Sequence, residues 1–316
     1  MIISAKDIVK RYRKIESKGL FKKKYHEVLA VNNINLDIKL NDHIGLVGLN
    51  GSGKSTLIKM ILGILKPSQG EITTFGRDPI KYRQENAMKI GIVFGQRSQL
   101  RWDLPPMDTF LLNREIYKIP QAVFEERLAK LVKLLDAEEF LHQPVRTLSL
   151  GQRMKAEIIA ALIHNPDLII LDEPTIGLDI VTKNSIVKFL NTLHDKTIIF
   201  TSHDLDEVEK VCSRVVILNK GVKVFDEGVK ALENTDAPTT IEFSSPDSFE
   251  KISQIIKNIQ VVSQERYKVE NIKKDDVKGI LSLITQKINI EHIEVKRLKL
   301  EYLLEQIAKR GTIHES

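Results

Sequence analysis

Apolar side chains recur at every second position through much of Val28–Leu40, the period of a strand with one buried face. Residues 2–9 carry a similar, shorter pattern. His43-Ile44-Gly45-Leu46-Val47-Gly48 is a brief apolar run ending in glycine, and residues 89–94 form another. From Lys54 to Leu65 the spacing becomes that of a helix, which stops at Lys66-Pro67-Ser68-Gln69-Gly70. Residues 107–142 are charged and helical in period with a break near Pro120, and residues 149–164 predict a helix opening at Ser149. Leu168–Leu171 and Thr197–Thr201 are short apolar or β-branched runs, with a helix expected between them at about 181–194. Such strands alternating with helices predict a mostly parallel sheet covered on both faces.

The pattern changes at Leu232–Pro238, read here as a linker, which divides the chain into residues 1–232 and 238–316. Beyond it the expected order is strand (240–244), helix (247–258), strand (259–263), strand (266–270), helix (275–287), strand (289–296) and helix (298–309). The first six follow the βαββαβ order of a small ferredoxin-like α+β domain. A length of 316 residues suits two domains.

The net charge of +6 is concentrated. Residues 10–24 carry eight lysines and arginines against Glu16 alone, so the remainder of the chain is almost neutral. This excludes a diffusely basic, nucleic-acid-coating protein and confines any basic surface to one inserted loop. Anionic lipid headgroups, the rim of a nucleotide site and plain solvation are three uses for such a loop. The single cysteine, Cys212, excludes an intramolecular disulfide framework and a cysteine-rich zinc site, and reads as a small packed side chain. No apolar run approaches the roughly 20 residues that cross a bilayer, and Met1–Asp7 lacks the basic-then-apolar form of a signal peptide.

The chemistry begins at Gly48-Leu49-Asn50-Gly51-Ser52-Gly53-Lys54-Ser55-Thr56, which matches G-x-x-x-x-G-K-[ST] between an expected strand and an expected helix. Glycines let successive N–H groups curl around phosphate oxygens, and the helix that follows points its positive end at them. Lys54 is placed to reach the β- and γ-phosphates and Ser55 to ligate Mg²⁺. The strand Leu168–Leu171 ends in Asp172-Glu173. Asp172 suits Mg²⁺ held through water. Glu173, expected on the opposite face by strand alternation, suits a base for the attacking water.

Leu148-Ser149-Leu150-Gly151-Gln152 precedes Asp172 by 23 residues, counted from Ser149. It resembles the Leu-Ser-Gly-Gly-Gln signature of ATP-binding cassette (ABC) ATPases. Gln96, Gly177-Leu178-Asp179, His203 and Tyr12 stand where that family places its Q-loop, D-loop, switch histidine and adenine-stacking aromatic. The resemblance covers about residues 2–230. It implies a P-loop NTPase ABC cassette with a mostly parallel core sheet, an antiparallel β subdomain and a helical subdomain at about 97–160. It implies ATP and Mg²⁺ as ligands, with Gln96 sensing Mg²⁺ and coupling to a membrane subunit. His203 is implied to bond the γ-phosphate. Two cassettes are implied to pair head to tail, Ser149, Gly151 and Gln152 of one facing ATP on the other. Leu150 replaces a signature glycine, and some exporter-type cassettes are similar in having that glycine replaced; if the backbone meets the phosphate at Ser149 and Gly151, a side chain at 150 faces away, and if not, the sandwich is weakened.

The insertion after Tyr12, Gly95-Gln96 with Arg97-Ser98-Gln99-Leu100, and the tail Arg297–Leu304 resemble ABC-2-type exporter ATPases of the daunorubicin, viologen and sodium efflux kinds. That resemblance implies a separate ABC-2-type integral membrane permease, a second cassette, a place on the cytoplasmic face of the cell membrane and no nucleic-acid partner. Trp102 is expected either to pack or to contact the permease, and the C-terminal domain to dimerise. The alternatives are a glycan exporter cassette, a non-transport ABC ATPase of the translation or DNA-repair kind, and a module that binds ATP without hydrolysis. Only one G-x-x-x-x-G-K-[ST] loop is present, the 95 residues from Lys54 to Ser149 lack sustained heptads, and Glu173 and His203 are intact.

Overall fold

The computed structural model describes the chain except residues 19–22, 96, 203–204, 235–237, 274 and 298–316. The expected helix at 298–309 and the candidates Gln96 and His203 lie outside the described residues. The chain forms two compact units, Met1–Val229 and a second beginning at Lys230.

The first unit opens with β1 (Ile3–Lys18) and β2 (Lys23–Ile38), followed by β3 (His43–Val47), α1 (Lys54–Ile61), β4 (Gln69–Thr74), α2 (Arg83–Ala87) and β5 (Ile90–Phe94). Then come α3 (Pro106–Ile116), α4 (Gln121–Leu134), α5 (Leu150–Leu162), β6 (Leu168–Asp172), α6 (Ile180–Leu190), β7 (Thr197–Thr201), α7 (Leu205–Val211), β8 (Arg214–Asn219) and β9 (Val222–Gly228). The core sheet runs β5-β6-β7-β3-β8-β9. Its pairs are parallel from β5 to β8, and only β9 is antiparallel. Ile44, Leu46, Leu168, Ile170, Ile199 and Val216 are buried from this sheet, against Leu57, Ile58 and Ile61 of α1. The antiparallel subdomain is β2-β1-β4. Here α3 and α4 lie on either side of Pro120, whose missing N–H suits the first position before a helix. Cys212 is buried, and burial pushes its thiol pKa far up.

The basic stretch is not an inserted loop. It continues β1 and β2 as a ribbon, with Lys14 opposite His26, Ser17 opposite Lys24 and Lys18 opposite Lys23. Strand β4 accompanies β1 only as far as Val9. A run of lysines has no alternating apolar face, so its periodicity conceals the pairing.

In the second unit β10 (Thr239–Ser244), α8 (Phe249–Ile255), β11 (Ile259–Ser263), β12 (Arg266–Ile272), α9 (Val277–Lys287) and β13 (His292–Arg297) follow the βαββαβ order. The sheet is antiparallel, β11-β12-β10-β13, and Ile241, Phe243, Ile252, Tyr267, Val269 and Ile284 form its core.

Candidate active site

Strands β6, β7 and β3 are neighbours in the core sheet, and their carboxyl ends bring the first candidates together. This is where open α/β sheets hold ligands. After β3 the chain turns through Gly48–Gly53 into α1. Gly53 caps the helix at φ 107°, and a Cβ there would sit 2.6 Å from the Ala30 carbonyl oxygen, so no other residue fits. The turn joining β8 and β9 braces the loop: Gly221 N–H donates to the Ser52 carbonyl at 3.0 Å, and Asn32 N–H to the Gly221 carbonyl at 2.8 Å. Lys54 is buried, and its Nζ donates to the carbonyls of Gly48 at 2.6 Å and Leu49 at 3.3 Å. Burial lowers its pKa, against the opposing pull of Glu173 and Asp172. The Ser52 hydroxyl is buried within this loop without a hydrogen-bond partner and packs against Gly48, where an added Cβ would lie 2.5 Å from it. Asn50, Gly51 and Ser55 are exposed, and Thr56 is half-buried. Tyr12 comes from β1 to the same helix, its hydroxyl 3.4 Å from Thr56 Oγ1 and its ring 5.6 Å from Lys10 Nζ.

Thr201, fully buried at the end of β7, organises the acidic pair. Its hydroxyl donates to Asp172 Oδ1 at 2.8 Å and accepts from Glu173 N–H at 2.9 Å. Strand β6 stops at Asp172. Glu173 turns away through left-handed backbone at φ 55°, not by the expected strand alternation. Such a conformation costs a non-glycine residue about 1–3 kcal/mol and concentrates at functional sites. Gly95 N–H donates to the Asp172 carbonyl at 2.8 Å, which anchors the segment leading to Gln96.

The signature forms the N-terminus of α5. Ser149 caps it: its hydroxyl accepts from Gln152 N–H at 3.2 Å, while Gln152 Oε1 accepts from Ser149 N–H at 2.9 Å. Such a capping box satisfies two donors that every helix start leaves free. Leu150 is 38% exposed, and its side chain reaches Gly177, where an added Cβ would lie 3.2 Å from Leu150 Cδ2. Gly151 is buried, and a Cβ on it would lie 2.8 Å from Thr182 Cγ2. Thr182 in turn donates to Asp179 from its N–H at 2.9 Å and its hydroxyl at 2.7 Å, and these bonds hold the Asp179 carboxyl below its usual pKa. Ile180 and Val181, just after Asp179, are 75% and 79% exposed. Trp102 is more than half exposed, so packing does not account for it.

Sequence reasoning missed three residues that support these groups. Thr201 stands in register with Asp172 on the neighbouring strand, a pairing that only the sheet order reveals. Glu157 of α5 is a buried carboxylate that accepts from the Ser98 hydroxyl and from Gln99 N–H at 3.1 Å; burial raises its pKa against those bonds. Glu207 of α7 is buried as well. Neither carried a sequence signal beyond its charge.

With this geometry in place, comparison with known proteins defines the class. The ABC transporter family profile matches residues 31–176. The chain is 32% identical over 225 residues to the ABC transporter ATP-binding protein NatA of Bacillus subtilis, covering 71% of this chain and 92% of that one. It is 31% identical over 288 residues to the methionine import ATP-binding protein MetN 1 of Oenococcus oeni, covering 86% and 81%. To the Nod factor export ATP-binding protein I of Cupriavidus pinatubonensis it is 33% identical over 206 residues, covering 64% and 63%. The dimeric post-hydrolysis state of the ATP-binding cassette MJ0796 bound to ADP and Pi superposes with a TM-score of 0.62 at 27% identity, covering 72% of this chain and 98% of that cassette. The chain belongs to the ABC transporter ATP-binding proteins and has their cassette fold. It is an ATP hydrolase. Among its described residues no helix is long and apolar enough to cross a membrane.

Proposed function

We propose that the chain is the motor subunit of an ABC-2-type exporter, working as a pair of cassettes on the cytoplasmic face of the membrane beneath a separate permease. The observation that carries the motor reading is the meeting of Lys54, Asp172 and Glu173 at the ends of β3 and β6, with Thr201 fixing both acids. Gly48–Thr56 would wrap the phosphates of ATP, with Lys54 at the β- and γ-phosphates and Tyr12 against the adenine. Ser55 and Asp172 offer the hard oxygen donors that Mg²⁺ shares with phosphate, Gln96 is the further ligand the family resemblance implies, and the ion would offset phosphate charge. Glu173 would take a proton from water as it attacks the γ-phosphorus and ADP leaves, and His203 would orient that water.

Ser149, Gly151 and Gln152 of a second cassette would close the sandwich, with Asp179 at the same face. The exposed Ile180 and Val181 suit burial against such a partner. Exposed Trp102 suits a permease contact, and we assign the second unit to cassette pairing. The similarity to a Nod factor export protein and Leu150 in the signature support export. The match to a methionine import protein, which extends into the second unit, supports import as the second reading.

Affinity purification of the full chain from detergent-solubilised membranes tests the transporter assignment. A permease of several spans should accompany it; recovery with ribosomes, or with no membrane protein, would overturn it. Reconstitution with the cassette outside the vesicle decides direction: inward accumulation of solute supports export, outward movement import.

A further inference from the structure

Glu207 contacts three segments that belong to different parts of the site. Its Oε2 accepts from the Thr175 hydroxyl at 2.5 Å and from the Ser202 hydroxyl at 2.7 Å. Lys183 Nζ lies 2.7 Å from Oε1, close enough for an ion pair though without hydrogen-bond alignment. Thr175 follows Glu173 by two residues, Ser202 immediately precedes His203, and Lys183 is in the first turn of the helix that Asp179 caps. Glu207, Thr175 and Ser202 are each more than 90% buried, and Lys183 is partly exposed.

A carboxylate out of water keeps its charge only if donors and a counter-charge surround it. Here those donors come from the turn after Glu173, the segment entering His203 and the helix after Asp179. Moving any one of them alone leaves the carboxylate short of a donor or of its counter-charge, a cost that favours movement of the three segments together.

We infer that Glu207 is a positioning residue for hydrolysis, a buried brace that fixes the base, the switch histidine and the D-loop relative to one another without touching ATP. This rests on the roles proposed for Glu173 and His203. Its loss should therefore lower turnover and leave nucleotide binding, which depends on Gly48–Thr56, unchanged.

The test is steady-state ATPase of the full chain carrying Glu207→Gln, which keeps the shape and removes the charge. We expect kcat to fall roughly 10–100-fold, the scale for a misplaced catalytic group, with KM for ATP within about twofold. Lys183→Met should give a similar loss, and the double variant no further loss, because both break one brace. An unchanged kcat in Glu207→Gln overturns the proposal. So does a parallel change in kcat and KM with a collapsed melting transition, the mark of a purely structural role. If Glu207→Gln fails to fold, Ser202→Ala and Thr175→Val each remove one donor while leaving the ion pair; wild-type turnover in both would equally sink it. Glu173→Gln separates this inference from its premise. Normal hydrolysis there removes the assigned base, whereas an inactive Glu173→Gln beside a normal Glu207→Gln removes only the brace.

Discussion

On the phosphate-loop side of the cassette, Lys54 is buried and already bonded to Gly48 and Leu49, and Asp172 and Glu173 are both tied to Thr201. On the signature side, Ser149 and Leu150 are exposed, and Asp179 is bonded to its own helix through Thr182. The first surface is held by the interior of the sheet, including strained backbone at Glu173. The second is held by local devices, a capping box and an Asp N-cap, which stiffen it and leave it open. A preorganised site can bind its ligand alone. An open, stiff one acquires its purpose from whatever docks on it.

Substitutions on the two sides should therefore fail differently. Glu173→Gln should cut hydrolysis most, roughly 10²–10⁴-fold, the scale of a lost general base. It should still bind ATP and elute as a dimer in gel filtration with ATP; a monomer there would break the paired-cassette reading. Lys54→Ala should abolish ATP binding in calorimetry, a failure of the first surface by itself. Gly151→Ala should cost about 1–3 kcal/mol, because the added methyl meets Thr182. Unlike Lys54→Ala, it should leave ATP binding of the isolated chain intact in the same calorimetric titration.

The joint between the sides has its own signature in pH. His164 follows α5, bonds the Ile90 carbonyl of β5 at 3.2 Å and stacks on Tyr117 with centroids 3.9 Å apart. Burial lowers its pKa from 6.5 to about 4. The unfolded chain then binds the extra proton first, so stability is full above pH 6.5 and drains away as pH falls toward 4. Urea unfolding should show up to about 3 kcal/mol of loss across that window, and His164→Asn should flatten that part of the slope. The smallest effect should come from Leu150→Gly, less than about 1 kcal/mol in a melting experiment because residue 150 opens α5, with ATP binding unchanged. A large drop in ATP affinity would show that Leu150 matters to the first surface too.

The sequence made the P-loop, the acid pair, the signature and the alternation of core strands legible because each depends on neighbours within a few residues. Strands β4 and β9 and helices α2 and α7 carried too little period to stand out, whereas β8 holds the apolar run Val215–Leu218, as legible as Leu168–Leu171. Thr201 and Glu157 gain their meaning from partners across the fold: Thr201 from Asp172, 29 residues away, and Glu157 from Gln99, 58 away. Nothing in the local sequence ties Gly221 to the phosphate loop; sheet order brings its turn there. Glu173 was found for its chemistry but placed by the wrong geometry, since a strand pattern contains no notice that its last residue will leave the strand.

The ribbon formed by β1 and β2 has a consequence for variation. Beyond Tyr12, which pairs with Val28, β1 is partnered by β2 without β4. Deleting one residue from each strand there shortens the arm and preserves which face every inner residue presents. A deletion from one strand alone would shift the pairing outward of it, or be taken up as a bulge like the one already present between Ile15 and Ser17. Length in this arm is therefore tunable in matched pairs, a dimension along which relatives can diverge while Tyr12 stays beside Thr56.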